Sequence, residues 1–135
     1  MSNKILIANS NTDESAKLQN HLCSQFDVSS IRSENECGGG VSAYELILAD
    51  HNFSESNELG FLLGAAASSH IPLLLLCPPD DVNSAAEAMN DGAFNFVVKT
   101  GEYFNLLPLA IDEAIKRLEF LISMCNVLYG MLYVV

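Results

Sequence analysis

The chain has 135 residues, half of them apolar, which suits one domain with a substantial core. Acidic residues outnumber basic ones 17 to 6, for a formal net charge of −11. That balance argues against nucleic acid or an anionic membrane as the main partner, since both are bound through Lys/Arg patches, and it favours a cationic partner or a metal ion.

The chain starts "MSNKILIANS", with too short an apolar run for a signal peptide, so a cytoplasmic protein is expected. "KILIA" (Lys4 to Ala8) reads as a first strand. In the polar stretch after it, Asn11 and Glu14 resemble a capping box, and Leu18, Leu22, Cys23 and Phe26 then recur at helical spacing. Asp13 and Glu14 are expected to stay on the first turn of that helix, where the macrodipole favours acids. "FDVSSIR" is a weaker second strand, and "SENECGGGVSAY" carries too much glycine for a stable helix. "ELILAD" is a third strand that ends on Asp50, and "SNELGFLLGAAAS" is a helix weakened by Gly60 and Gly64. "IPLLLLC" is a fourth strand. Asp80 to Asn90 is a helix with an Asp as cap, with Ala85, Ala86 and Met89 inward and Asp91-Gly92 as its exit. "FNFVVK" is a fifth strand that ends on Lys99, and from about Tyr103 the chain is helical, with Pro108 tolerated only near the first turn.

Apolar strands alternating with helices predict a doubly wound parallel sheet covered on both faces. Ligands of such sheets bind outside the carboxyl ends of the strands. Those ends here carry Asn9-Ser10, Asp50, Cys77 and Lys99. A carboxylate closing an apolar strand needs a partner or a task. Asp50 and Lys99 are expected to face each other, at least as a structural ion pair, while His51 should point to the other side as a loop residue. The four cysteines form no C-x-x-C pair and have no His at ligand spacing, so a structural zinc site is not expected. Cys23 and Cys77 read as small buried hydrophobes.

"KILIANSNTDE", "YELILAD", "IPLLLLC" and "AMNDGAFNFVVK" together resemble the receiver domain of two-component response regulators, over nearly all of residues 4 to 117. The resemblance implies a flavodoxin-like five-stranded parallel sheet of order 2-1-3-4-5. It also implies a phosphoacceptor aspartate after strand three, an acidic pair that holds Mg²⁺ after strand one, a Thr or Ser after strand four, a lysine after strand five and an aromatic switch residue. Asp50 matches the phosphoacceptor, Lys99 the lysine and Phe96 the aromatic position, for which plain core packing is the blander reading.

The rest departs from the pattern. Asn9 and Ser10 stand for the acidic pair, Cys77 for the hydroxyl residue and Thr100 for the usual proline, and the glycine patch shortens or removes the second helix. A Mg²⁺ site would then rest on Asp50 with Asn9, Ser10 and a carbonyl near Asn52, which is weak for a cation usually held by carboxylates; Asp13 or Glu14 could reach in, although both sit more naturally on the first turn of the helix. A thiol at Cys77 is also a poorer donor than a hydroxyl. The expectation is a degenerate receiver, with weak Mg²⁺ or no cofactor, which works as a protein-interaction module for a histidine kinase or another signalling protein. A functional receiver phosphorylated at Asp50 is the alternative. A further one is a small flavodoxin-type cofactor-binding protein, for which Ser10 and Thr12 are suggestive but the two acids of the same loop are not. No nucleophile–base pair is visible, so no enzyme is expected.

The last stretch, residues 118 to 135, reads as an apolar extension of the final helix, beyond a receiver-like domain of residues 1 to 117. Leu118, Leu121, Ile122, Cys125, Leu128, Tyr129 and Leu132 form one stripe, and other apolar residues fill much of the remaining faces. Such a helix must be buried somewhere. It falls a little short of a membrane span, and pairing with a second copy, a homodimer through the C-terminal helix, is the expectation. A helix cut from a longer connector is the other reading.

Overall fold

The computed structural model describes residues 3–33, 36, 40–55 and 58–134, without the side chains of residues 54, 55, 82, 84, 122 and 125–134. The elements in chain order are β1 (Lys4–Ala8), α1 (Thr12–Leu22), β2 (Asp27–Ile31), β3 (Leu46–Asp50), the single-turn α2 (Asn52–Glu55), α3 (Leu59–Ser69), β4 (Leu73–Cys77), α4 (Val82–Asn90), β5 (Asn95–Val98), a 3₁₀ turn (Tyr103–Leu106) and α5 (Leu107–Val134). All strand pairs are parallel, and the sheet order is β2-β1-β3-β4-β5, the doubly wound arrangement expected. Among the described residues between β2 and β3 no α-helix forms; residues 34, 35 and 37–39, most of the glycine patch with Cys37, lie outside the described residues.

The period of two along each strand sorts the core into two layers. Ile5, Ile7, Leu46, Leu48, Leu74 and Leu76 pack with Leu18 and Leu22 of α1 and Leu107 and Ile111 of α5. Leu6, Ala8, Ile47, Ala49, Leu73, Leu75 and Cys77 pack with Leu62, Leu63 and Ala66 of α3 and Ala85 and Ala88 of α4. Strands apolar on both faces are thereby covered on both faces, which is why β3 and β4 are buried throughout.

Two readings of local structure need correction. Cys23 is exposed rather than buried: it caps the C-terminus of α1, with its thiol donating to the Asn20 carbonyl at 3.5 Å, while Leu22 takes the inward position. The α4 helix starts at Val82, and its inner face is Ala85 and Ala88. The i, i+3 pair from Ala85 is Ala88, so Ala86 is turned out and Met89 is 40% exposed. Pro108 falls in the first turn of α5, where its missing N–H costs nothing.

Candidate functional site

The parity of β3 puts Asp50 on the same side as Leu46 and Leu48, towards α1 and α5, and at 1% exposure it is buried. The Lys99 ammonium contacts Asp50 Oδ1, so the ion pair expected from the sequence is formed. The backbone N–H of Asn52 donates to Asp50 Oδ2 at 3.0 Å, which is the first contact of the α2 turn with the site. His51 does not point away: its Nδ1 lies 3.0 Å from the same Oδ2. The chain turns sharply at His51 on leaving β3, so strand alternation no longer sets the side-chain direction there.

Glu14 takes the less expected of its two placements. It reaches in from α1, and Lys99 Nζ bonds its two carboxylate oxygens at 2.8 and 3.0 Å. Asn9 Nδ2 donates to Oε1 at 2.6 Å and the Tyr103 hydroxyl donates to Oε2 at 3.1 Å. The reason lies in the cap. In a capping box Glu14 would bond the N–H of Asn11, but that N–H already donates to Asn9 Oδ1 at 2.9 Å. Asn11 still caps the helix, accepting from the N–H groups of Asp13 and Glu14 at 3.1 and 3.2 Å, and the Glu14 side chain is left for the site.

Asn52 closes the arrangement, with its Nδ2 donating to Asn9 Oδ1 at 2.7 Å and its Oδ1 accepting from the Ser10 N–H at 3.2 Å. A polar ring thus runs Asp50–Lys99–Glu14–Asn9–Asn52 and back to Asp50. It joins the ends of β1, β3 and β5 to α1.

Two carboxylates share one ammonium, and their protonation parts accordingly. Burial raises the Asp50 carboxyl, the nearby Glu14 charge adds to this, and the Lys99 and Asn52 bonds offset only part. Burial also raises Glu14, but the Lys99 and Asn9 bonds and the Lys99 charge outweigh it, so Glu14 lies below the usual carboxylate range. Burial lowers Lys99, and its two carboxylate partners more than reverse this.

Of the other expected site residues, Cys77 and Phe96 stand apart from the ring. Cys77 is buried in the apolar layer under α3 and α4, and burial, followed by the charges of Asp81 and Asp50, pushes its thiol up, away from reactivity. Phe96 packs half-buried against the same layer. Ser10 is exposed and joins through its backbone N–H alone.

The donors do not make a ready magnesium site. Asn9 Oδ1 already accepts two N–H bonds, Asp50 Oδ2 takes the Asn52 N–H, and the Asp50 and Glu14 carboxylates hold Lys99 between them. Among the described residues no group of three His, Cys, Asp or Glu side chains is placed to hold a metal ion. Nor is the loop after β1 a phosphate cradle, because Asn11 already occupies the first helical N–H groups and Asp13 and Glu14 follow it.

Compared with known proteins, the sequence matches no protein-family model and no curated protein. The fold does match solved structures. The N-terminal signal receiver domain of a two-component response regulator from Bacteroides fragilis superposes with a TM-score of 0.72 at 26% identity, over 85% of this chain and 98% of that one. A response regulator receiver domain protein from Clostridium thermocellum gives 0.73 at 21% identity, over 90% and 99%. The chain has the receiver-domain fold. A structure described as adenylate cyclase from Rhodopirellula baltica shares that fold too, with a TM-score of 0.77 at 21% identity over 96% of this chain and 98% of that one.

Asp50 and Lys99 lie at the ends of β3 and β5 and meet there, Glu14 reaches in from α1, and Tyr103 joins them unforeseen. The one available signal for Glu14 was the pair of amides at Asn9 and Asn11, which leaves the next acid along α1 to supply the site's second carboxylate. For Tyr103, five residues past the end of β5, the sequence offered none.

Proposed function

We propose that this chain is a receiver-like signalling module that acts by binding a protein partner, with Asp50 in the phosphoacceptor position but with its phosphorylation chemistry suppressed. The observation that carries this reading is the Lys99 ammonium held between Asp50 and Glu14. Phosphoryl transfer to a carboxylate needs cationic groups free to meet the incoming charge. Here the one lysine of the site is engaged by two carboxylates, and Asn9 offers an amide where a carboxylate would draw in a metal. On this reading the protein is cytoplasmic, is not an enzyme with turnover, and meets a histidine kinase or another signalling protein, with the apolar C-terminal helix pairing two copies. Mg²⁺ is bound weakly or not at all.

One observation favours the second reading, a receiver that still accepts a phosphoryl group at Asp50: Glu14 brings a second carboxylate to the rim. Beryllofluoride with millimolar Mg²⁺, followed by amide NMR with Asp50→Asn as control, separates the two. Suppressed chemistry leaves the amides around Asp50, Cys77 and Lys99 unmoved. Saturable shifts that vanish in D50N would instead make Asp50 a working acceptor, with the Lys99–Glu14 pair opening to admit the ligand.

A further inference from the structure

Glu14 holds two points of one connection. Lys99 is the first residue after β5, and Tyr103 opens the 3₁₀ turn that runs into α5; both donate to the same carboxylate. Between them Gly101 adopts φ +51, a backbone conformation that lets the chain double back. Beyond them Leu107, fully buried, anchors the start of α5 in the core. Tyr103 also packs edge-on against Phe104, with ring centroids 4.8 Å apart, and Phe104 lies 5.6 Å from the ring of His21 on α1. The turn is therefore held at its start by the site and at its end by the core. Leu106, which closes the turn, and Leu109, in the first turn of α5, stand 57% and 71% exposed.

We propose that Glu14 and Tyr103 form the link through which the state of the Asp50 site reaches the first turn of α5. Whatever changes the claim of Asp50 on Lys99 (a bound oxyanion, a cation or a neutral side chain) changes how Lys99 holds Glu14. Glu14 in turn alters its hold on Tyr103, and the 3₁₀ turn with its exposed Leu106 is repositioned, together with the exposed Leu109 on the first turn of α5. Phe96 has no part in this route, since it packs against the α3/α4 layer. By linkage the effect runs both ways, so a partner seated on the first turn of α5 would change the pairing at Asp50. The link does not depend on whether Asp50 is ever phosphorylated.

The test is a pair of amide NMR comparisons on the full chain. Asp50→Asn is compared with wild type, and the Asp50→Asn/Tyr103→Phe double variant with Tyr103→Phe. Tyr103→Phe keeps the ring and its packing and removes only the hydroxyl that meets Glu14. The expected result is that D50N shifts the amides of Tyr103 to Ile111 in the wild-type background and that these shifts shrink severalfold in the Y103F background, while shifts next to residue 50 persist. Shifts of equal size in both backgrounds would overturn the link, as would a D50N response that stops at Lys99. Glu14→Gln supplies an independent arm, because it retains the shape and loses the charge. The response of the α5 turn to D50N should be lost there too, and its survival would count equally against the proposal.

Discussion

At the scale of single residues, the ring around Asp50 sets both stability and its dependence on pH. Lys99 is the counter-charge for a buried carboxylate and a half-buried one. Replacing it with Met keeps the bulk and leaves two carboxylates facing each other. Removing one partner of a buried pair costs about 3–5 kcal/mol, so urea unfolding of Lys99→Met should show a loss of that order. The Lys99→Met/Asp50→Asn double variant should recover part of it, because one of the two stranded charges is gone; a strictly additive pair would mean that the contact contributes nothing. The alkaline side carries a second expectation. Lys99 is raised by its carboxylate partners, which outweigh burial, and the Tyr103 phenol is raised by burial and the Glu14 charge. The folded chain thus keeps both protons at a pH where the unfolded chain gives them up. Their contribution is complete below about pH 10 and is lost as the pH rises through the folded values. Stability measured across that range should fall more steeply for wild type than for Lys99→Met/Tyr103→Phe, and parallel curves would contradict the assignment. Glu14, lowered in the fold, works at the other end: its contribution is present above the ordinary carboxylate range and disappears as the pH falls through the folded value.

At the scale of elements, caps decide where side chains go. Asn11 satisfies two N–H groups of α1, and replacing it with Ala should cost about 1 kcal/mol in a thermal or urea melt. Because Glu14 sits in that turn, the same change should also disturb the Tyr103 amide. The C-terminus of α3 offers the opposite sign. His70 has φ +57, with its N–H bonded to Ala67 at 3.3 Å and the Ile71 N–H to Ala66 at 2.9 Å, the paired bonds of a Schellman ending. A glycine relieves the left-handed strain at the cost of extra unfolded-state freedom, so His70→Gly should stabilise the chain by about 0.5–1 kcal/mol. Elements of this kind were legible because each is written locally: the five strands, the glycine that ends α4 and the proline that opens α5 all fell near their expected places. Asp50 and Lys99 were legible because strand ends in a parallel sheet share a rim. What the pattern could not supply was competition between hydrogen bonds. The amides at Asn9 and Asn11 hint at Glu14, but "NSNTDE" does not fix which N–H each of them takes, and nothing after β5 says that the chain turns back to bring Tyr103 over α1. Cys23 was misplaced for a related reason, since the helix ends there and its apolar stripe passes on to Phe26.

At the scale of the whole molecule, the sheet covers only the first part of α5. Leu107, Ile111, Ala114 and Ile115 are buried, whereas Phe120, Leu121 and Met124 are exposed on a helix that continues to Val134. At a rise of about 1.5 Å per residue the helix is about 42 Å long, more than twice the length of a five-residue strand. Lys116 and Arg117, where the burial ends, are paired with Asp112 and Glu113 one turn back, at 3.0 and 2.8 Å, so they add little basic surface. Among the described residues no helix is long and apolar enough to cross a membrane. If the extension pairs two copies of the chain, apolar burial works against the repulsion of two molecules of net charge −11. Added salt screens that repulsion and should tighten the association, whereas a basic partner bound to the acidic surface would be released. Sedimentation at low and high salt tells the two apart. Replacing Phe120, Leu121 and Met124 together with Glu should leave the melting transition close to wild type, since none of the three is in the core, and should abolish self-association at either salt concentration. A variant that still pairs would move the contact to the exposed Leu106 of the 3₁₀ turn and Leu109 of the first turn of α5, where the state of Asp50 would then bear on it directly.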